Sequence, residues 1–203
     1  MSVNNYRVPK TKVGQKTFNK IISTGKKLFS KNGYQSTSIN DIIEKSKVAA
    51  GTFYIYFDNK LALYLYLLDQ YRVSIRNASS KAIQGLERRE DMERAGIKSF
   101  LQYVKKDPLA YKVVWESLFV DQEIFREYYQ SFAESYIYHL KKHLATGEIR
   151  PEIDLETASY VLMGIANFCG LQVLFKDNVD EAYIDYVTDE AMKILNKGLF
   201  LPK

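Results

Sequence analysis

From Thr11 to Asn32 apolar residues recur every three or four positions, at Val13, Phe18, Ile21, Ile22, Leu28 and Phe29. Lys16, Lys20, Lys26, Lys27 and Lys31 fill much of the remainder. That period predicts an amphipathic helix, and Gly33 after Asn32 predicts its end. Ser38 stands three residues before Asp41, close to a capping box with Asp in place of the usual Glu or Gln. Ile39, Ile42 and Ile43 then give one apolar stripe, so a second, short helix runs to about Lys45. After the connection Ser46-Lys47-Val48, the stretch Ala49 to Phe57 suits a third. Two short helices joined by a turn of three or four residues form a helix-turn-helix pattern.

The third helix holds four aromatic rings in five residues, within "GTFYIYFDNK". At about 100° per residue, Ala49, Phe53, Tyr56 and Phe57 lie toward one side, able to pack on Ile42, Phe29 and the first helix. Gly51, Thr52 and Ile55 point the other way, with Tyr54 on a flank. The pattern therefore separates anchoring rings from an outward set that a core does not need.

Beyond Asn59 the helical pattern continues: to Ile83, from Arg88 to Lys105, from Pro108 to Asp121 and from Gln122 to Ala145. "TGEIRPEID" reads as a loop by its Gly and Pro, and Asp154 can cap the next helix. That helix carries Ala158, Val161, Leu162, Ile165, Cys169 and Gln172 at helical spacing, and a last one covers Asp180 to Lys197. Gly164, Ala166 and Gly170 suit a close helix approach. No run approaches the ~18 apolar residues of a membrane span, and the first ten residues lack the apolar core of a signal peptide. The expectation is a cytoplasmic protein.

Charge changes this picture. Residues 1–60 hold 11 Lys/Arg against 3 Asp/Glu, whereas the rest hold 18 against 21. A basic end on an acidic body suggests that the N-terminal part meets a polyanion. A single cysteine excludes an internal disulfide.

The run "LFSKNGYQSTSINDI", then Val48, then "GTFYIYFDNKLALY" resembles the DNA-binding domain of the TetR family of bacterial transcriptional regulators. In that family the pattern Y-x-YF-x-x-K, here Tyr54 to Lys60, closes the recognition helix and opens the next. The resemblance is close over residues 13–64 and architectural beyond them. It implies an all-α fold: a flexible basic arm (1–10), a helix-turn-helix DNA-binding domain (11–60) and a larger helical ligand-binding and dimerisation domain (61–203). It places Asn40, Ala50, Gly51 and Thr52 at base edges, and Tyr54, Tyr56 and Lys60 at phosphates. Thr37 or Ser38 would donate at the start of the second helix, although both fit plain caps equally well, and Tyr56 fits the core at least as well.

Lys47 occupies a turn position where the family often has glycine, which makes it either an added phosphate contact or an awkward turn. Ala50 replaces a longer polar residue. With the Thr52 methyl and Ile55 it suits thymine methyl groups, and hence an A·T-rich half-site. Arg7, Lys10 and Lys12 of the arm are further phosphate candidates, or disordered.

The implied partners are a double-stranded DNA operator, a second copy paired through the last two helices, and a small, largely hydrophobic effector. No cofactor, metal or membrane partner is expected, and repression is the commoner mode in the family. Aromatic candidates for the effector are Phe100, Tyr103, Tyr111, Trp115 and Phe119, then Tyr129, Phe132, Tyr136 and Phe168, with Cys169 and Gln172 as polar or soft contacts. Each fits an ordinary core position as well. A ligand-independent architectural DNA-binding protein is the alternative, which the size of the acidic remainder disfavours. An enzyme is not expected: there is no phosphate loop and no G-x-S-x-G, and Cys169 lies in an apolar helix. His139 and His143 have metal-ligand spacing, but lysines lie between them and a solvated face is the plainer reading.

Overall fold

A computed structural model describes residues 6–197. Among these residues the secondary structure is helical, in nine elements. They are α1 (Lys12–Asn32), α2 (Ile39–Ser46), α3 (Ala50–Tyr56), α4 (Lys60–Ala82), α5 (Arg89–Lys106), α6 (Pro108–Val120), α7 (Gln122–Ala145), α8 (Leu155–Phe175) and α9 (Glu181–Lys197). The bounds follow local chemistry. Thr11 caps α1 by accepting from the Gly14 amide, and Gly33 ends it at φ 83° with its N–H on the Phe29 carbonyl. Asn59 accepts from the Ala62 amide at the start of α4 (2.8 Å), and Asp154 caps α8 through Thr157. Pro108 opens α6, where a missing N–H costs nothing.

The chain divides into two compact units. The first runs to Val73 and takes in Leu109–Phe125; the second holds Ser74–Pro108 and the chain from Arg126 onward. α6 thus belongs with α1–α3 and the first part of α4, although α5 precedes it in sequence. The first unit is centred on Phe18, Ile21, Ile42, Phe53, Phe57, Leu63 and Tyr64, all fully enclosed. A β-carbon on Gly25 would lie 2.6 Å from Leu63 Cδ2, so the glycine is what lets α4 seat against α1. The Tyr64 hydroxyl donates to the Val113 carbonyl at 2.6 Å, tying α4 to α6.

In the second unit α5 packs on α8 and α9. Ile97, Leu101, Val104, Met163, Val173, Ile184 and Val187 are buried there. The α5–α9 seam is edged by ion pairs: Arg94 with Asp189 (2.7 Å), Lys98 with Asp185 (2.6 Å) and Lys105 with Glu181 (3.2 Å). The N-terminus of α5 has no side-chain cap of its own. Glu148, from the loop after α7, takes the Arg89 amide (2.6 Å), and its other oxygen meets His143 Nδ1 (2.8 Å) and the Thr146 hydroxyl (3.0 Å).

Two expectations are corrected here. α8 is 21 residues long with a mean hydropathy of 1.6, so by length and composition it could cross a membrane. In the second unit it packs on α5 and α9. His143 does not lie on a solvated face: it is buried and bonded to Glu148, while His139 is exposed. No group of three or more His, Cys, Asp or Glu suited to a metal occurs among the described residues.

Candidate nucleic-acid interface

α2 begins in a full capping box. The Ser38 hydroxyl accepts from the Asp41 amide (3.1 Å), and Asp41 Oδ2 accepts from the Ser38 amide (2.8 Å) and hydroxyl (2.6 Å). These bonds hold the Asp41 carboxyl below its ordinary range. Asp therefore serves where Glu or Gln is usual. α2 ends at Lys47, whose φ of 54° and ψ of 44° are left-handed, and whose N–H reaches the Glu44 and Ile43 carbonyls. The awkward turn is real, and the Lys47 side chain is exposed.

α3 then presents two faces. Phe53 and Phe57 are fully enclosed. Phe57 stacks on Phe18 at 5.2 Å between centroids, and Tyr56 meets Phe18 edge-on at 5.3 Å with its hydroxyl 3.4 Å from the Gly14 carbonyl. On the other face Ala50 and Gly51 are exposed and Thr52 is half-buried. Tyr54 is 49% exposed and Ile55 58%. Space around Gly51 is open: a β-carbon there would meet nothing within 4 Å. Asn40 is exposed on α2. Asn40, Lys47, Ala50, Gly51, Tyr54 and Ile55 thus lie open to solvent within one helix-turn-helix.

Three positions differ from the reading made on the resemblance. Thr37 is fully buried and its hydroxyl donates to the Gly33 carbonyl (2.7 Å), so it closes the loop after α1. Lys60 is turned inward: its ammonium donates to the carbonyls of Tyr34 (2.7 Å) and Thr37 (2.8 Å) and lies 4.2 Å from the Tyr34 ring centroid. Burial lowers its pKa, opposed by the nearby Glu116 carboxylate. Tyr56 is chiefly a packing residue. Glu116 itself was not legible as part of this region. From α6 it accepts the Tyr34 backbone N–H across 82 positions, and no local signal marks such a partner.

The effector candidates are divided between the two units. Tyr111, Trp115 and Phe119 lie in the first unit, and Phe100, Tyr103, Tyr129, Phe132, Tyr136, Phe168, Cys169 and Gln172 in the second. Tyr111 and Trp115 are in edge contact at 6.2 Å. The Tyr129 hydroxyl donates to Asn167 Oδ1 (3.2 Å), and Tyr136 to the buried Glu93 (3.4 Å). Burial pushes the Tyr103 phenol up to about 12. Phe119 is 79% and Phe168 65% exposed, so neither lines an interior of its unit. Gln172 is exposed and donates to the Tyr183 hydroxyl. The Cys169 thiol is pushed up by burial, which lowers its thiolate fraction.

Residues 21–67, from the middle of α1 into α4, match the family model described as bacterial regulatory proteins, tetR family. The helix-turn-helix segment is that of the TetR family. Among curated proteins, a 51-residue stretch is 49% identical to the uncharacterized HTH-type transcriptional regulator YuxN of Bacillus subtilis (strain 168), covering 25% of this chain and 18% of that protein. A 99-residue stretch is 29% identical to an uncharacterized HTH-type transcriptional regulator in the lacX 3′ region of Lactococcus lactis subsp. lactis, covering 49% of each. The chain thus spans half or less of the length of these curated relatives. Over most of its length it is similar in fold to the transcriptional regulator FadR of Bacillus subtilis, solved in complex with stearoyl-CoA. That match has a TM-score of 0.77 at 17% identity and covers 90% of this chain and 100% of that one.

Proposed function

We propose that this protein is a sequence-specific transcriptional regulator that binds a palindromic DNA operator as a homodimer and leaves it when a largely hydrophobic small molecule binds. The observation that carries the reading is the outward face of α3. Ala50, Gly51, Tyr54 and Ile55 are exposed on a helix whose other face, Phe53 and Phe57, is locked in the core. A helix presented this way over a capped partner helix suits the major groove, where N-terminal residues meet base edges. Ala50, the Thr52 methyl and Ile55 favour thymine methyl groups, and Asn40, Tyr54 and Lys47 suit polar or phosphate contacts.

Pairing through α8 and α9 is supported by their exposed apolar side chains. Val161 (52%), Phe168 (65%), Phe175 (77%), Tyr186 (57%) and Ile194 (50%) are exposed apolar side chains on these two helices, suited to burial against a second copy. A dimer also reads two half-sites where one short helix reads too few base pairs. For the effector, the similarity to a regulator solved with stearoyl-CoA supports a molecule carrying a long apolar chain, and long-chain acyl-CoA thioesters are the first probes.

The test is selection of random duplexes on the purified protein at near-physiological salt, followed by titration of the enriched duplex with stearoyl-CoA. The expected result is an enriched palindrome and its release by the thioester. Recovery of duplexes without a shared motif would overturn sequence-specific reading in favour of architectural DNA binding. Retention of a palindrome at saturating thioester would overturn the effector class alone.

A further inference from the structure

The segment ahead of α1 makes contacts that the outward face of α3 does not explain. The Arg7 amide donates to the Tyr56 carbonyl at 2.8 Å, and Tyr6 forms an antiparallel bridge with Phe57. The Arg7 guanidinium lies 3.4 Å from the Ile55 carbonyl and 3.4 Å from the Asp58 carboxylate. Tyr6 meets Tyr66 edge-on at 4.9 Å, and Tyr66 in turn contacts Phe18 and Phe57. A segment expected to be mobile is therefore fastened, from Tyr6 on, to the ring cluster that anchors α3.

The two carbonyls it takes, Ile55 and Tyr56, belong to the last turn of α3, where a helix leaves its acceptors without intrahelical partners. α3 is poorly equipped to stand without help. It has seven residues, no side-chain bond at its N-cap Ala49 and no basic residue in its last turn. Isolated helices shorter than ~12–15 residues are marginal even with good sequences, and Gly51 weakens this one further. A guanidinium at the C-terminal end supplies both the donor and the positive charge that such an end favours.

We propose that Tyr6 and Arg7 form a strap that caps the C-terminus of α3 and fixes the angle at which it is presented, making Arg7 a positioning residue and not a phosphate contact. The strap itself is a property of the free protein; its effect on DNA rests on the function proposed above. Arg7 has a carboxylate and a carbonyl within reach at the α3–α4 turn, and both draw its charge toward that turn. Tyr6 supplies the apolar anchor, without which two hydrogen bonds to an exposed chain would fray.

The experiment pairs amide hydrogen exchange on the intact free protein with titration of the duplex enriched by the wild-type chain, over a range of salt. Arg7→Ala and, separately, Tyr6→Ala are compared with wild type. Both should speed exchange at the Phe53–Phe57 amides roughly fivefold to tenfold, the size of a lost cap, with exchange in α1 and α5 unchanged. Duplex affinity should fall by a similar factor while the slope of log K against log salt stays the same. A slope shallower by ~0.9 per protomer, or about 1.8 for a dimer, in Arg7→Ala would mark lost phosphate contacts and overturn the proposal. Unchanged exchange in both variants would overturn it as well, whatever the affinity does. Should the wild-type chain enrich no duplex, the regulator reading fails while the exchange data still decide the strap.

Discussion

Lys60 directs two of its three ammonium donors at backbone carbonyls in the loop between α1 and α2. Its influence on DNA would therefore pass through the placement of α2. Lys60→Ala leaves the Tyr34 and Thr37 carbonyls without that donor, and hydrogen bonds to charged groups are worth about 1.5–3 kcal/mol. Urea unfolding should show a loss toward the lower end, because the site is half-buried, and the salt slope of duplex binding should be unchanged. A shallower slope would restore Lys60 to the phosphate contacts. Gly51 behaves oppositely. With open space around its β-position, Gly51→Ala should raise unfolding free energy by up to ~1 kcal/mol through helix propensity. Duplex affinity should fall at the same time if the α3 backbone approaches base edges there; both are read from one denaturation and one binding curve.

At the scale of elements, α5 depends on another part of the chain for its cap. Glu148 accepts the Arg89 amide, then the His143 ring nitrogen and Thr146 hydroxyl, and these bonds bring its carboxyl down from 4.5 to about 2. A carboxylate whose pKa is depressed on folding stabilises the fold above its unfolded value and loses that effect as pH falls through the folded one. The difference in melting temperature between wild type and Glu148→Gln should thus be full at neutral pH and close between about pH 4.5 and 2. His143, Arg89 and Thr146 face this carboxylate, so a gap that widens on acidification would place the controlling charge elsewhere. Asp185 and Glu181, held low by their bonds to Lys98 and to Gln102 and Lys105, add acid sensitivity of the same sign on the α9 side.

At the scale of the molecule, the exposed rings of α8 and α9 predict the state of assembly. Phe168→Glu together with Phe175→Glu should turn a dimer into a monomer in sedimentation while far-ultraviolet circular dichroism is kept, because neither ring is in the core. A monomeric wild-type chain would remove the basis of the palindrome. Much of the architecture was legible because each boundary has a local cause: Gly33, the Ser38–Asp41 box, Asn59, Pro108 and Asp154 all act within about four residues. The inward turn of Lys60 was not legible, since its acceptors lie 26 and 23 positions back. Nor was the return of α6 to the first unit. Helical periodicity also cannot separate a ring facing the core from one left exposed, which is why Phe168 stood among effector candidates. The split of rings along α3 was legible because helical spacing puts Phe53 and Phe57 toward one side and Tyr54 on a flank.

One cost in this fold is still carried at the turn of the helix-turn-helix. Backbone φ is positive at Gly33, Gly85 and Gly147, at Asn178 and at Lys47. The first four are residue types that tolerate this conformation; lysine there forgoes about 1 kcal/mol. Under selection the position should therefore behave as a hinge between two fitness terms. A library of all substitutions at residue 47 sorted for heat resistance should enrich Gly and Asn, whereas the same library sorted for operator occupancy in cells should hold on to Lys and Arg. If both sorts return glycine, the charge at this turn has no use, and the lysine is an accident that the rest of the protein is stable enough to tolerate.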